Sequence, residues 1–168
     1  HNLKMGKNGG QDSYLRPEDV ERINGIDSIV KNTDPRIQRF SGYEQINLLE
    51  KIRFRPSQYL DIHYGFTYAK TGDAPRYDRL IQYRNNRLRF AEWNYGPMVW
   101  SLHNFQLLHT KKNKLYDEGK VTVAYQDYEE SRIDRTRNAL IRNQQTETVK
   151  AISFNADANR SIGKGRLF

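Results

Sequence analysis

Residues 60–70 read Leu-Asp-Ile-His-Tyr-Gly-Phe-Thr-Tyr-Ala-Lys, and apolar or aromatic side chains occupy every second position through Tyr68. The side chains that share this apolar face are Leu60, Ile62, Tyr64, Phe66 and Tyr68. A period of two is typical of a β-strand, because successive side chains of a strand point to opposite faces. Soluble strands average roughly 5–6 residues, whereas a tilted strand needs roughly 9–11 to cross a bilayer. The length of this alternation therefore favours a membrane-crossing strand.

Similar alternation recurs on both sides of this stretch. The predicted strands cover residues 44–55, 60–70, 98–110, 120–130 and 148–158, and a sixth strand begins near Arg166. Short predicted turns at 56–59, 111–119 and 159–165 alternate with longer loops at 70–95 and 131–147. Outer-membrane barrels have this pattern, because their periplasmic turns are short and their extracellular loops are long. We predict an all-β fold in which residues 44–168 form an antiparallel up-and-down meander of about six strands, as part of a large transmembrane β-barrel.

Residues 1–43 differ from the rest of the chain. The segment from Leu15 to Gly25 has Pro17 near its start, acidic side chains in the next turn and a glycine at its end. These features are typical of a short helix. We predict that residues 1–43 form a long extracellular loop that contains this one short helix.

The composition limits the class of protein. Hydrophobic residues make up 36% of the chain, yet aromatic residues make up 12%, which is more than a disordered polar chain contains. No apolar run approaches the roughly 20 residues of a membrane-spanning helix, and the N-terminal residues lack the apolar centre of a signal peptide. The sequence has no cysteine, which excludes disulfides and thiolate chemistry. If this chain enters a membrane, it does so with strands.

Three strings in the second part of the chain have a distinctive composition. They are Ala74-Pro-Arg-Tyr-Asp-Arg-Leu80, Ala91-Glu-Trp-Asn-Tyr-Gly-Pro97 and Ala124-Tyr-Gln-Asp-Tyr-Glu-Glu-Ser-Arg-Ile-Asp-Arg135. In this order they resemble barrel motifs of TonB-dependent outer-membrane receptors, particularly the type common in Bacteroidota. The resemblance covers about residues 44–160. Met98 departs from it, because that family would place a glutamine after the Tyr-Gly-Pro string.

The resemblance implies a transport protein of the cell outer membrane and not an enzyme. Such receptors have a 22-stranded barrel closed by a plug, and they bind and import a scarce nutrient such as a siderophore or haem. The implied partners are outer-membrane lipid, the remaining barrel and plug of the same receptor, TonB through the missing plug region, and the nutrient ligand. Neither the plug nor the TonB-binding segment is recognisable in these 168 residues.

A second interpretation starts from the net charge of +8. A soluble basic antiparallel β-domain that binds nucleic acid or another anionic partner would also alternate polar and apolar faces. The excess of arginine lies in the predicted loops at 70–95 and 131–147, and no single basic helix emerges. The favoured interpretation includes no nucleic acid among the partners. Detergent dependence separates a barrel from a nucleic-acid module, whose binding would fall steeply with salt.

Aromatic and basic side chains alternate in the first long loop, a combination that suits an aromatic or anionic ligand. The candidate ligand-binding residues are Arg76, Tyr77, Tyr83, Arg87, Trp93 and Tyr95. The same side chains could instead fold the loop or mark the membrane interface.

Complementary charges at the two loops predict a structural network of ion pairs. Its candidate members are Asp78, Glu129, Glu130, Arg132 and Arg135.

His63 lies on the polar face, where a histidine could ligate haem, but an isolated histidine is also common on such a face. No metal-site spacing, nucleophile elbow or phosphate loop appears. We therefore predict no metal, no cofactor and no catalytic residues.

Overall fold

The computed structural model describes residues 3–4, 15–163 and 165–167. The strands are β1 (Leu3–Lys4), β2 (Glu18–Ile23), β3 (Ile26–Lys31), β4 (Ile37–Gln38), β5 (Gln45–Ser57), β6 (Leu60–Thr71), β7 (Ala74–Pro75), β8 (Tyr83–Arg84), β9 (Arg87–Leu88), β10 (Phe90–His109), β11 (Glu118–Thr136), β12 (Asn143–Ile162) and β13 (Gly165–Leu167). A four-residue helix, α1 (Tyr77–Leu80), lies between β7 and β8. The predicted all-β class is confirmed.

The long strands belong to one antiparallel sheet in the order β13-β12-β11-β10-β6-β5, and β7 pairs with β10. Neighbours in this order are also neighbours along the chain, except that β7, β8, β9 and α1 are inserted between β6 and β10. The predicted up-and-down connection of the long strands is therefore confirmed. The order has ends at β5 and β13, so the sheet of the described residues is not closed into a barrel.

The helix predicted between Leu15 and Gly25 is wrong. The segment forms β2 of a hairpin, and β2 pairs with β3 from Glu18↔Lys31 to Ile23↔Ile26. Asn24 and Gly25 connect the two strands with φ of 50° and 80°. Asn-Gly is a strong signal for a two-residue hairpin turn, because both positions need positive φ. This turn, together with strand pairing on both sides, outweighs the helix signal from the proline and the acids.

Three strands extend further than the alternation of apolar side chains predicts. β10 already begins at Phe90, β11 continues to Thr136, and β12 begins at Asn143. The predicted long loops are therefore too long, and residues 137–142 are all that connects β11 to β12. Trp93, Tyr95 and the predicted ion-pair residues from Glu129 to Arg135 lie on strands. In β11 the alternation of apolar side chains was hidden because polar Ser131 and Arg135 are buried together with Ile133.

The chain divides into two compact units. Unit 1 consists of residues 1–45, 70–98 and 129–147, and unit 2 consists of residues 46–69, 99–128 and 148–168. The apolar core of unit 1 contains Leu80, Phe90 and Trp93, with Tyr95 packed against them.

The strands of unit 2 have two different faces. On one face the Tyr64 hydroxyl lies 2.8 Å from Nδ1 of His103, whose ring centroid is 4.9 Å from that of Phe66 and 6.3 Å from that of Tyr125. The opposite face of β6 carries Asp61, which binds arginines of β5. Among the described residues, no helix is long and apolar enough to span a membrane.

Candidate functional site

The candidate site in unit 1 is an arginine–aromatic cluster of Arg76, Asp78, Trp93, Tyr95 and Arg132. Strand pairing positions it, because Asn94 of β10 lies opposite Pro75 of β7, and the Arg76 amide donates to the Trp93 carbonyl at 2.9 Å. This brings the Arg76 side chain over the rings of β10. Trp93 and Tyr95 share one face of the strand, since they are two residues apart.

A glycine in the Tyr-Gly-Pro string allows two backbone segments to come together beside the cluster. Gly96 has φ of 98°, and a Cβ on it would lie 2.5 Å from the Gly72 carbonyl oxygen. A side chain at this position would collide with the backbone and would also be strained. The approach of Gly72 to β10 therefore requires glycine at position 96.

The Arg76 guanidinium contacts both aromatic rings. Its Cζ lies 4.9 Å from the Trp93 centroid and 5.4 Å from the Tyr95 centroid, and Nη1 donates to the Tyr95 hydroxyl at 3.2 Å. Arg132 lies 5.6 Å from the centroid of Tyr95. These distances are within the range of cation–π attraction. The rings of the cluster are therefore already in contact with arginines of the same chain.

Asp78 completes the cluster. Nε of Arg76 donates to Oδ1 of Asp78 at 2.8 Å, and a second short bond joins Nη2 to Oδ2. These bonds lower the pKa of Asp78 from its ordinary value, because they stabilise the charged carboxylate. The cluster therefore holds a bidentate ion pair against two aromatic rings, which is an arrangement that orders the segment between β7 and α1.

The six candidate ligand-binding residues are not brought together at one place. Arg76, Trp93 and Tyr95 belong to the arginine–aromatic cluster. Tyr77 is half-buried, and this burial raises the pKa of its hydroxyl. Tyr83 is exposed, but desolvation of its hydroxyl and the nearby Glu18 raise its pKa to about 12.

Arg87 lies in the hairpin β8–β9 and faces a different pocket of unit 1. The first long loop, from which one ligand site was predicted, therefore contributes residues to several separate surroundings.

Three of the five candidate ion-pair residues have partners in different places. Asp78 binds Arg76, and Arg132 lies over Tyr95. Arg135 donates to Asp27 of β3, and this carboxylate also accepts the Asn138 amide at 2.7 Å. Glu129 and Glu130 lie on β11 as neighbours, so their side chains point to opposite faces.

Sequence reasoning missed two buried carboxylates in unit 1. The first is Asp27, whose pKa is lowered by its hydrogen bonds from Arg135. The second is Asp19, which lies in contact with the buried guanidinium of Arg16 and 3.2 Å from Nη1 of Arg39. The predicted helix at residues 15–25 concealed Asp19, and the loop predicted after it concealed Asp27, because no strand face was assigned to either acid.

Unit 2 contains a charged cluster on its polar face that was also missed. Asp61 accepts Nε of Arg53 at 2.8 Å and Nη2 of Arg55 at 2.9 Å, and Nε2 of His63 lies 3.0 Å from its Oδ1. The alternation of β5 and β6 could have revealed it, because these side chains share one face across a tight hairpin. A groove of about 410 Å³ continues along the same face, where its polar lining includes Lys51, Arg53, His63, Thr67, Asn104 and Gln106.

The haem-ligand hypothesis for His63 stays a prediction. Its Nε2 is engaged by Asp61, and no cluster of three or more metal-binding side chains occurs among the described residues.

Comparison of the chain with protein-family models, with curated proteins and with solved structures finds no match.

Proposed function

We propose that this chain is a wall segment of an outer-membrane β-barrel of the TonB-dependent receptor type, which binds and imports a scarce nutrient such as a siderophore or haem. The observation that carries the proposal is the combination of long strands with two faces of opposite character. β10 and β12 have 20 residues each, and β11 has 19. Average soluble strands have only about 5–6 residues, so these strands suit a barrel that extends beyond the bilayer.

The apolar face supports a membrane location. In β5, Ile46 is 60% exposed and Phe54 is 61% exposed; in β12, Ile152 is 78% exposed and Phe154 is 70% exposed. Soluble monomers rarely expose large contiguous apolar patches, because each Å² of apolar surface in water costs about 25 cal/mol. Lipid hydrocarbon would cover these side chains without a protein partner.

The opposite face supports a polar lumen. Asp61, Arg53 and Arg55 form a charged cluster there. The neighbouring groove has a mixed lining, in which Lys51, His63, Thr67, Asn104 and Gln106 lie beside Leu49, Ile52, Tyr64 and Leu102. A charged cluster on the lipid side of a membrane strand would be costly. In a water-filled interior, these charged groups would keep both water and one another as hydrogen-bond partners.

The arginine–aromatic cluster has a supporting role in this proposal. Its cations and ring faces contact one another, so the cluster orders the segment around α1 and leaves nutrient selection to other surfaces. The proposed partners are outer-membrane lipid, the remaining barrel with its plug, TonB and the nutrient. The proposal includes no catalytic step.

Cysteine accessibility tests the proposed membrane orientation directly, since the chain has no cysteine of its own. Phe66→Cys and Thr67→Cys place a thiol at neighbouring positions that lie on opposite faces of β6. In intact outer membranes, a water-soluble maleimide should label Thr67→Cys at least tenfold faster than Phe66→Cys. Both variants should react equally after denaturation, which controls for intrinsic reactivity.

Fractionation of cells separates the proposal from the alternative of a soluble basic domain. The full-length protein should remain in the outer-membrane fraction after high-salt and carbonate washes and should dissolve only in detergent. Release by salt alone, with oligonucleotide binding that weakens steeply as salt increases, would support the nucleic-acid alternative. That result would overturn the barrel proposal.

A further inference from the structure

Unit 1 contains a basic hairpin. β8 pairs with β9 through Tyr83↔Leu88 and Arg84↔Arg87, and the connecting residues Asn85 and Asn86 have φ of 52° and 56°. Positive φ at both turn positions is typical of the tight turn that matches the twist of a hairpin. The turn therefore places Arg84 and Arg87 directly opposite each other. Like charges in this cross-strand relationship repel and destabilise a hairpin.

One buried side chain and three hydrogen bonds hold this repulsive pair in place. Leu88 is 2% exposed and anchors the hairpin. The Arg89 amide donates to the Gln82 carbonyl at 2.8 Å, and the Arg137 amide donates to the Arg89 carbonyl at 2.9 Å. Arg137 also donates from Nε to the Leu88 carbonyl at 3.2 Å. Arg137 is therefore fixed beside the hairpin through its amide and its Nε, and no described residue is hydrogen-bonded to the terminal nitrogens of its guanidinium.

The side chains around this hairpin line a pocket of about 450 Å³. Its lining consists of Arg84, Asn85, Arg87, Leu88, Arg89, Thr136 and Arg137. No acidic side chain belongs to this set. Within the described part of the chain, none of the four arginines forms an ion pair with a carboxylate, whereas Arg76, Arg135 and Arg142 of the same unit each do. The pocket thus concentrates positive charge that the described residues leave uncompensated.

We propose that this four-arginine pocket binds a phosphate monoester group. A phosphate monoester carries about −1.5 to −2 charge at neutral pH and presents three strong acceptor oxygens. Guanidinium groups match such oxygens in bidentate geometry, and several of them can share one phosphate. Binding would also relieve the repulsion between Arg84 and Arg87. The group could belong to a phosphorylated glycolipid or to a small dissolved phosphate ester, since the recognising chemistry is the same.

The pocket lining argues against nucleic acid as the ligand. Single-stranded nucleic acid is bound by a basic groove together with aromatic side chains on which bases stack. The lining contains no aromatic residue, and Arg89 covers the neighbouring Phe90 ring at 4.6 Å. A compact phosphate group fits these features better than a polymer. This inference does not rest on the proposed barrel function.

Titration of the purified full-length protein with inorganic phosphate and with glucosamine 6-phosphate tests the inference. Arg87→Gln removes one pocket charge without removing an intramolecular hydrogen bond of the described residues. Arg36→Gln is the matched control, because Arg36 is an exposed arginine of unit 1 outside the pocket. We expect Arg87→Gln to weaken glucosamine 6-phosphate binding at least fivefold and Arg36→Gln to change it less than twofold. Arg84→Gln is a second variant in case Arg87→Gln fails to fold.

Two further arms separate the sources of the phosphate. If the ligand is a lipid headgroup, the protein should bind phosphatidylcholine vesicles that contain a phosphorylated glycolipid. It should bind vesicles with the dephosphorylated glycolipid more weakly. If only the dissolved ester binds, a small phosphate compound is the ligand. Equal effects of Arg87→Gln and Arg36→Gln would overturn the inference. Tighter binding of a single-stranded oligonucleotide than of either phosphate probe would overturn it too.

Discussion

Arg135 and Asp27 form a buried ion pair across 108 residues of sequence, with Nη2 of the arginine donating to Oδ1 of the carboxylate at 2.9 Å. The Asp27 side chain is fully buried, and that of Arg135 is 11% exposed. Asp27 also accepts the Asn138 amide, so one carboxylate connects the hairpin β2–β3 to the end of β11 and the residues that follow it.

Asp27→Asn should strongly destabilise unit 1, because it leaves the Arg135 guanidinium buried without a counter-charge. Loss of one partner of a buried pair costs about 3–5 kcal/mol. Asp34→Asn is the control, since Asp34 pairs with Lys4 at a more exposed site and should lose no more than about 1 kcal/mol. Chemical denaturation monitored by tryptophan fluorescence measures both. Equal decreases in the free energy of unfolding of the two variants would show that the buried ion pair stabilises the protein no more than the exposed one.

Acid should loosen the same connection. Hydrogen bonds from Arg135 hold the pKa of Asp27 below its ordinary value, so the folded state binds a proton there less readily than the unfolded state. The stabilisation is therefore present above the ordinary carboxyl pKa of about 3.9 and is lost as the pH falls through the lower pKa of the folded state. Thermal unfolding followed from about pH 5 down to about pH 1 measures the loss. The thermal stability of Asp27→Asn should depend less on pH. A pH dependence identical to that of the unsubstituted protein would contradict this assignment.

Opposite faces of β6 should respond differently to charge. Phe66 shares the apolar face with His103, whereas Thr67 lines the polar groove. If the apolar face meets lipid, Phe66→Arg should destabilise by about 2–4 kcal/mol near the bilayer midplane, and Thr67→Arg should be tolerated. Urea denaturation of the full-length protein reconstituted in lipid vesicles gives the comparison. A larger cost for Thr67→Arg would reverse the assignment of the faces.

Two glycines form a matched pair for the backbone. A Cβ at Gly96 would lie 2.5 Å from the Gly72 carbonyl oxygen, whereas a Cβ at Gly65 would meet no atom within 4 Å. Gly96→Ala should therefore cost at least the roughly 1–3 kcal/mol of a strained backbone conformation. Gly65→Ala should be neutral or stabilising by about 0.4–1 kcal/mol, because it restricts only the unfolded chain. The denaturation midpoints of the two variants measure this difference. Similar midpoints for Gly96→Ala and Gly65→Ala would show that position 96 does not require glycine.

The strands of unit 2 could be predicted from sequence because their signal is local. Side chains of a strand alternate between two faces, so the apolar series from Leu60 to Tyr68 identified both the strand and its faces without knowledge of any neighbour. The same pattern predicted the antiparallel order of the long strands, since short turns leave consecutive strands adjacent.

The hairpin β2–β3 could not be predicted in this way. Pro17 and the acids that follow it suggested a helix, while the Asn24-Gly25 turn and the pairing of Ile23 with Ile26 form a hairpin. The helix preference of a proline followed by acids is weak, and the Asn-Gly turn with the strand pairing beside it outweighs that preference.

By itself, the sequence determined the all-β class, the meander of long strands and the two faces of β6, because each follows from side-chain alternation within one segment. Only the tertiary structure decided that Arg135 binds Asp27, that Arg76 stacks on Trp93, and that four arginines line one pocket without a carboxylate. The physical reason is that ion pairs and cation–π contacts depend on distance in space and not on distance along the chain. Arg135 and Asp27 are 108 positions apart, so no local sequence pattern indicates their contact.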